Sequence, residues 1–270
     1  MRAETVHRLA LRALALGYLG VLLLIPVGLV FWRTFEPGLG AVWDAVTTPA
    51  AISAFWLTIA VALIAVPLNA LFGVVAALAL VRGRAPGRRV LDALIDLPFA
   101  VSPVVIGLSL VLLYGRDGWF GGWLAERGIQ VIFSVPGIVL ATIFVSVPFV
   151  VREVAPVLRE VGDEQEQAAA TLGAGAWQTF RRVTLPSIRW GIAYGVVLAT
   201  ARAIGEFGAV SIVSGKIAGE TETLTLLVEK RFTNFDVAGA YAASALLALI
   251  GLATLLAMSL LSSRRSPSTR

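Results

Sequence analysis

Arg202 and Glu206 are the only charges lying well inside an apolar stretch of this 270-residue chain, in the run ATARAIGEFGAVSIVSG from Ala199 to Gly215. A charge in mid-bilayer costs roughly 3 kcal/mol or more unless it is paired or wetted. Spaced four apart, the two share one helix face and can neutralise each other, although Arg before Glu is the less favourable order for the helix dipole. Gly205 and Gly208 beside them leave room for another helix or a substrate to approach closely. Two readings stand. The pair is a structural or gating ion pair between helices, or Arg202 helps guide an anion through a pathway. In both, the face points into a helix bundle rather than at lipid.

A second stretch has the chemistry of a docking surface. Glu160 to Pro186, EVGDEQEQAAATLGAGAWQTFRRVTLP, is the only long polar segment between two very apolar ones. Ala168 to Leu172 favour helix. Gly173 is placed to cap it, and Gly175 continues the interruption. Trp177, Phe180, Arg181 and Val183 resume at roughly helical spacing, with one apolar and one basic edge. Pro186 sets a boundary before the next apolar run. The expectation is a short helix, a Gly turn, a second short helix and a Leu-Pro stop, shaped to fit a groove on a soluble partner.

The composition surrounding these stretches is that of an integral membrane protein. Hydrophobic residues make up 58% and charged residues 14%, well below the share of charge in a soluble domain. With no Cys, neither a disulfide nor a Cys-based metal site is available, and no metal site is expected. The single His7 sits among N-terminal charges, where solvation explains it. The net charge of +5 raises the question of nucleic acid, but the cations cluster at the ends of apolar runs, as topology determinants do, so no nucleic-acid partner is expected.

Six apolar runs are long enough to act as spans, and the chain reads as an all-α integral membrane protein. A short basic segment, 1–12, precedes the first run, Ala13 to Phe31. That run is too long for a signal peptide and no small-x-small site follows it, so it reads as a retained span, with Pro26 a tolerable kink. A loop, Arg33 to Ala51, leads to the second span, Ile52 to Val81, where Asn69 suits a packing hydrogen bond to another helix or, alternatively, lines a path. The third, Leu91 to Tyr114, contains LPFAVSPVV. Pro98 and Pro103 each remove a backbone hydrogen bond, and Ser102 can satisfy a freed carbonyl. A helix so broken either lines a transport pathway or is a packing kink. A Gly- and Trp-rich loop, Gly115 to Ser134, suits the membrane interface. The fourth span, Val135 to Leu158, carries three prolines. The fifth runs from Ile188 to Val213 and the sixth from Val237 to Leu261, with a mixed-charge loop, Lys216 to Asp236, between them. The spans thus form one transmembrane domain, 13–261, with the polar stretch 159–187 inside it and a basic tail, 262–270, after it.

Placing the N-terminus in the cytoplasm puts fifteen of the 22 cations inside, from Arg2 through Arg82, Arg152 and Arg181 to Arg270. Six lie outside (Arg33, Arg116, Arg127, Lys216, Lys230 and Arg231), with Arg202 in the membrane. The positive-inside rule favours this orientation. It puts both termini and the stretch 159–187 in the cytoplasm.

Gln167-Ala168-Ala169, three residues, Gly173, nine residues, then Val183-Thr184-Leu185-Pro186 resembles the EAA loop of ABC importer permeases. Gln167 stands where Glu is usual, with Glu164 and Glu166 close by, and Val183 where Ile is usual. Four further segments, DLPFAVSPVVIGL (Asp96 to Leu108), VPFVVREVAPVL (Val147 to Leu158), ARAIGEFGAVSIVSG (Ala201 to Gly215) and GETETLTL (Gly219 to Leu226), look like the sulfate/thiosulfate permease family. The serine of AVSPVV and the Val-Ser after GEFGA resemble its W-type rather than its T-type subunit. Molybdate and tungstate permeases share the Gly-Glu-Phe-Gly and Leu-Pro features and are the nearest rivals.

The resemblance implies a type I ABC importer permease with six transmembrane helices and a cytoplasmic coupling helix. It implies a T-type second permease subunit, a dimeric ATPase in whose cleft the coupling helix sits, and a sulfate-binding protein outside a plasma membrane crossed several times. ATP and Mg2+ would be used by the ATPase. This chain has no Gly-x-x-x-x-Gly-Lys-Ser/Thr run, so it is expected to bind no cofactor, to be no enzyme itself and to act mechanically. Two other classes are weighed. A secondary transporter finds no further buried carboxylate or His for a proton relay. A membrane assembly protein would make Arg202 and Gly173 dispensable for uptake.

Overall fold

The computed structural model describes residues 2–83 and 87–263, and of these every side chain except those of residues 2–8, 10, 255 and 257–263. Arg84 and the basic tail from Arg264 onward lie outside the described residues. All regular structure among them is helical.

The chain enters as α1 (Arg2–Leu19), widens into a π turn at Gly20–Leu24 and continues as α2 (Ile25–Phe35). A short α3 (Leu39–Val46) leads into the long α4 (Pro49–Val81). Next come α5 (Arg88–Ala100), α6 (Pro103–Tyr114), α7 (Gly121–Ala125) and the second long helix, α8 (Val135–Val161). The polar stretch forms α9 (Glu164–Thr171) and α10 (Ala176–Thr179), a π turn at Phe180–Thr184, and then α11 (Leu185–Ile204). The chain closes with α12 (Val210–Val213), α13 (Leu224–Thr233) and α14 (Val237–Ser263).

The core is built on α4, α8 and α11, and small residues bring their backbones together. A Cβ on Gly73 of α4 would stand 2.6 Å from Val150 of α8, and one on Gly195 of α11 would stand 2.8 Å from the same residue's Cα. Lipid tails are as apolar as the side chains, so no hydrophobic force drives membrane helices together, and such close approach is what holds them. Val150, Val151, Val154 and Leu158 of α8 and Ile188 of α11 are buried there. Asn69 is fully buried and donates to Ser146 Oγ at 2.8 Å, so it is a packing bond between α4 and α8.

Among the described residues, four helices suit a membrane span by length and apolarity: Leu11–Phe35, Pro49–Val81, Val135–Val161 and Val237–Thr254. The pair α5 and α6 makes a fifth if counted as one broken span, with a bend of 113° between them. The third span therefore does not run unbroken from Leu91 to Tyr114. Pro98 is accommodated inside α5, Val101 is extended, and Pro103 opens α6. The position expected for the fifth span is taken by α11, packed at the centre but interrupted by Arg189 and Arg202. Its helix ends at Ile204 rather than at Val213. The first span is largely exposed and is tied to α14 by Thr34, whose hydroxyl donates to Val30 and Tyr241 carbonyls.

Two prolines share one device. Pro26 and Pro186 each lie two residues beyond a five-residue π turn. Proline lacks an N–H and its ring clashes with the carbonyl four residues back. Widening the preceding turn relieves both demands. At the second π turn the Leu185 N–H donates to the Phe180 carbonyl, five residues earlier. Pro186 is therefore not a stop: the helix passes from α10 through the π turn into α11. The three expected loops also carry structure. They contain α3, α7 and α13, and α13 buries Leu224, Leu226 and Leu227.

Candidate functional site

Two interruptions of regular helix meet where α6 packs against α12. The first is Val101–Ser102, between α5 and α6. The second is Gly205–Ala209, between α11 and α12. They touch through Pro103 and Gly208: a Cβ on Gly208 would lie 2.8 Å from Pro103 Cβ. One turn along α6, a Cβ on Gly107 would lie 2.8 Å from the Ala209 carbonyl and from Ile212 Cβ. Gly208 and Gly107 are thus the residues that let α6 lie on the second interruption. Gly205 is exposed and has ordinary room, with only the Ala201 carbonyl at 3.4 Å. Ser102 stands just before α6 at its N-cap, but its hydroxyl makes no capping bond.

Arg202 and Glu206 are paired, Nη1 to Oε2 at 2.5 Å. Glu206 lies beyond the end of α11, so the two do not share a face of one continuous helix. The Glu206 side chain is 1% exposed and that of Arg202 28%. Glu206 Oε1 also accepts the Ala209 N–H at 2.9 Å, which caps the backbone leading into α12. Thr225 of α13 donates to the Glu206 carbonyl at 2.8 Å. The carboxylate therefore fixes the bend while partnering the one cation beside it.

A second buried carboxylate escaped the sequence reading. The Glu222 side chain is 1% exposed and takes the Lys230 ammonium at 2.8 Å. The chain around it is pinned by Ser214 donating to the Thr221 carbonyl at 2.6 Å and by Thr58 accepting the Leu224 N–H at 2.9 Å. Among mixed charges Glu222 looks like a solvated loop residue. The alternating ETETLTL that follows Gly219 was the available signal.

Sequence also missed a clasp between α5 and α8. Arg152 donates from Nε to Asp96 at 2.8 Å and from Nη2 to Asp92 at 3.0 Å, and it also meets Asp96 through Nη2. The signal was present: Asp92 and Asp96, spaced four apart, open an otherwise apolar run.

The polar stretch lies at one end of the bundle. Gly173 has φ +84°. Its N–H bonds to the Ala170 carbonyl at 3.0 Å and the Ala174 N–H to the Ala169 carbonyl at 3.0 Å, the pair of bonds of a Schellman cap. Glu164, Gln167 and Ala168 are exposed, as are Leu172 (88%) and Trp177 (71%). Trp177 stacks on Phe180 with ring centroids 5.6 Å apart. Ala169, Val183 and Leu185 are half-buried against the body, Pro186 is exposed, and Glu166 turns inward to Arg82 and Thr184. The arrangement offers an outward surface of apolar, acidic and basic side chains on a helix pair whose second member runs on through the π turn into α11.

Residues 69–267 match the family model of the binding-protein-dependent transport system inner membrane component. The chain is 52% identical to the sulfate transport system permease protein CysW of Synechocystis sp. over 93% of this chain and 91% of that one. It is 39% identical to the sulfate transport system permease protein CysT of Escherichia coli K12, over 93% and 90%. The structure superposes on that of a bacterial ABC transporter involved in import of the acidic polysaccharide alginate, with a TM-score of 0.79, 18% identity, and 98% and 97% of the two chains covered. The higher identity to the W-type relative agrees with the W-type features of its own sequence. The chain belongs to the family of binding-protein-dependent transport system inner membrane components, and within it to the CysW-type permeases.

Proposed function

We propose that this chain is the W-type permease subunit of an ATP-driven importer of sulfate and thiosulfate. One observation carries the mechanical part of the proposal: α10 of the exposed stretch runs on through the π turn into α11, and α11 ends at the Arg202–Glu206 bend. A push on the stretch is thereby a push on the bend. The bend in turn touches α6 through Gly208 and Pro103. In this proposal the stretch 159–187 sits in the cleft of a dimeric ATPase, with Glu164, Gln167, Ala168, Leu172 and Trp177 facing it. The pathway runs past Ser102, Pro103 and the bend, at the junction with a T-type second permease.

The positive-inside distribution supports an orientation with both termini and the coupling stretch in the cytoplasm, with a sulfate-binding protein delivering the anion at the other face. ATP and Mg2+ belong to the ATPase. The missing phosphate-binding Gly-rich run in this sequence supports a subunit that hydrolyses nothing itself.

The test is uptake of labelled sulfate in cells lacking their own sulfate importer and carrying this subunit with its permease partner, ATPase and binding protein. ATP-dependent uptake blocked by unlabelled thiosulfate but not by molybdate is the expected result. Blockage by molybdate would reassign the substrate. Absence of ATP-dependent uptake in an assembled complex would overturn the proposal.

A further inference from the structure

We propose that Glu166 is not a docking contact but the joint through which the coupling helix is fastened to the transmembrane core; this rests on the coupling reading above. The α9 helix buries no residue of its own. Apolar packing therefore does not hold it, and its attachment is polar. Glu166 Oε2 meets Arg82 Nε at 3.0 Å, and Oε1 accepts from Thr184 Oγ1 at 2.9 Å. Arg82 also donates through Nη2 to the Gly162 carbonyl. Arg82 caps the end of α4 and Gly162 the end of α8, while Thr184 closes the π turn that leads into α11. These are the three helices of the core. Glu166 thus ties the coupling helix directly to α4 and to the turn into α11, and to α8 through Arg82.

The backbone is shaped for this joint. Gly162 adopts φ +69°, ψ −173°, a region open essentially to glycine alone. That conformation separates α8 from α9 at the residue whose carbonyl meets Arg82. The side chains of Arg82 and Glu166 are each only 23% exposed, so water screens the pair less than it screens a surface pair. The joint is also bidentate in effect, since each carboxylate oxygen has its own donor, and this fixes orientation as well as distance. Glu166 and Arg82 are therefore positioning residues: they make α9 move with the core rather than swing on its Gly162 hinge.

The experiment uses the complete importer reconstituted in proteoliposomes and reads the number of ATP hydrolysed per sulfate imported. Glu166→Gln, Arg82→Gln and the near-isosteric Thr184→Val are compared with Trp177→Ala on the outward face. Joint variants are expected to raise the ratio, by about tenfold for Glu166→Gln and Arg82→Gln, within the range of a coupling free energy between two sites. Trp177→Ala is expected to lower hydrolysis and uptake together, leaving the ratio in place. The exchange Arg82→Glu with Glu166→Arg is expected to bring the ratio back towards that of the unaltered complex. An unchanged ratio in all three joint variants, in complexes that assemble, would overturn the inference while leaving the coupling reading intact. Absence of ATP-dependent import in the unaltered complex would overturn both.

Discussion

Gly208 lies so close to Pro103 that a methyl group on it would stand 2.8 Å from the proline Cβ. The two residues hold the interruption of one helix against the interruption of another, so neither can move without the other. Overpacking at such a contact costs about 1–3 kcal/mol. Gly208→Ala is therefore expected to lower the thermal unfolding midpoint of the detergent-purified complex and to slow sulfate uptake more than it lowers stability. Gly205→Ala, where the nearest atom is an ordinary 3.4 Å away, is the control and is expected to be mild in both measurements.

The Arg202–Glu206 pair separates a structural from a transport role. Glu206→Ala leaves both Arg202 and the Ala209 N–H without their partner and is expected to cost roughly 3 kcal/mol, the low end for breaking a buried pair, because Arg202 is partly exposed. Glu206→Gln keeps an acceptor for Ala209 and is expected to cost less. The double variant Arg202→Gln with Glu206→Gln removes both charges together. Uptake within severalfold of normal is the expected outcome for an ion pair that only fixes the bend. Loss of uptake in a complex that still assembles would put Arg202 on the path of the anion.

Gly173 offers a graded test of the coupling stretch. Its left-handed backbone costs a side chain about 1–3 kcal/mol, yet no atom lies within 4 Å of where a Cβ would stand. Strain is therefore the whole penalty, and it is confined to the turn between α9 and α10. Gly173→Asn is expected to be tolerated better than Gly173→Val, because Asn enters that conformation more easily. Measured as sulfate imported per ATP hydrolysed, coupling should fall in the same order, with the larger drop in thermal midpoint for Gly173→Val.

What the sequence made legible follows from range. Gly173 could be read because a Schellman cap is set within six residues. Four of the apolar spans could be read because lipid imposes their length, whereas the third breaks at Val101–Ser102 and the helix at the fifth ends at Ile204. Pro186 misled, since a proline after Leu185 signals a helix stop in water, whereas here a π turn absorbs it and the helix runs on. The contact of Gly208 with Pro103 and the joint of Glu166 with Arg82 join residues far apart in the chain, and spacing carries no trace of them. Glu206 was legible as a charge but not as a cap, because the end of α11 at Ile204 has no proline to announce it. Glu222 was hidden among exposed charges of both signs.

Phe235 carries the last prediction. It occupies the left-handed position that ends α13, with φ +62°. The Phe235 N–H bonds to the Phe232 carbonyl at 3.1 Å, and the Asp236 N–H to the Arg231 carbonyl at 2.9 Å, the same cap that Gly173 makes for α9. Arg231 holds the turn from outside by donating to the Gly239 and Ala45 carbonyls at 3.0 and 2.9 Å. The ring itself is 90% exposed, so removing it loses almost no packing within the chain. The left-handed conformation costs a non-glycine residue about 1–2 kcal/mol, and glycine gives back about 0.5–1 kcal/mol as extra unfolded-state entropy. Phe235→Gly is therefore expected to stabilise the purified subunit by roughly 0.5–1 kcal/mol, read as a rise in its thermal unfolding midpoint. An unchanged or lower midpoint would mean that the ring packs where its exposure says it does not. A higher midpoint with slower uptake would mean that the strain is kept for a surface outside this chain, and binding-protein affinity measured on the same variant would then show whether that surface is the delivery protein.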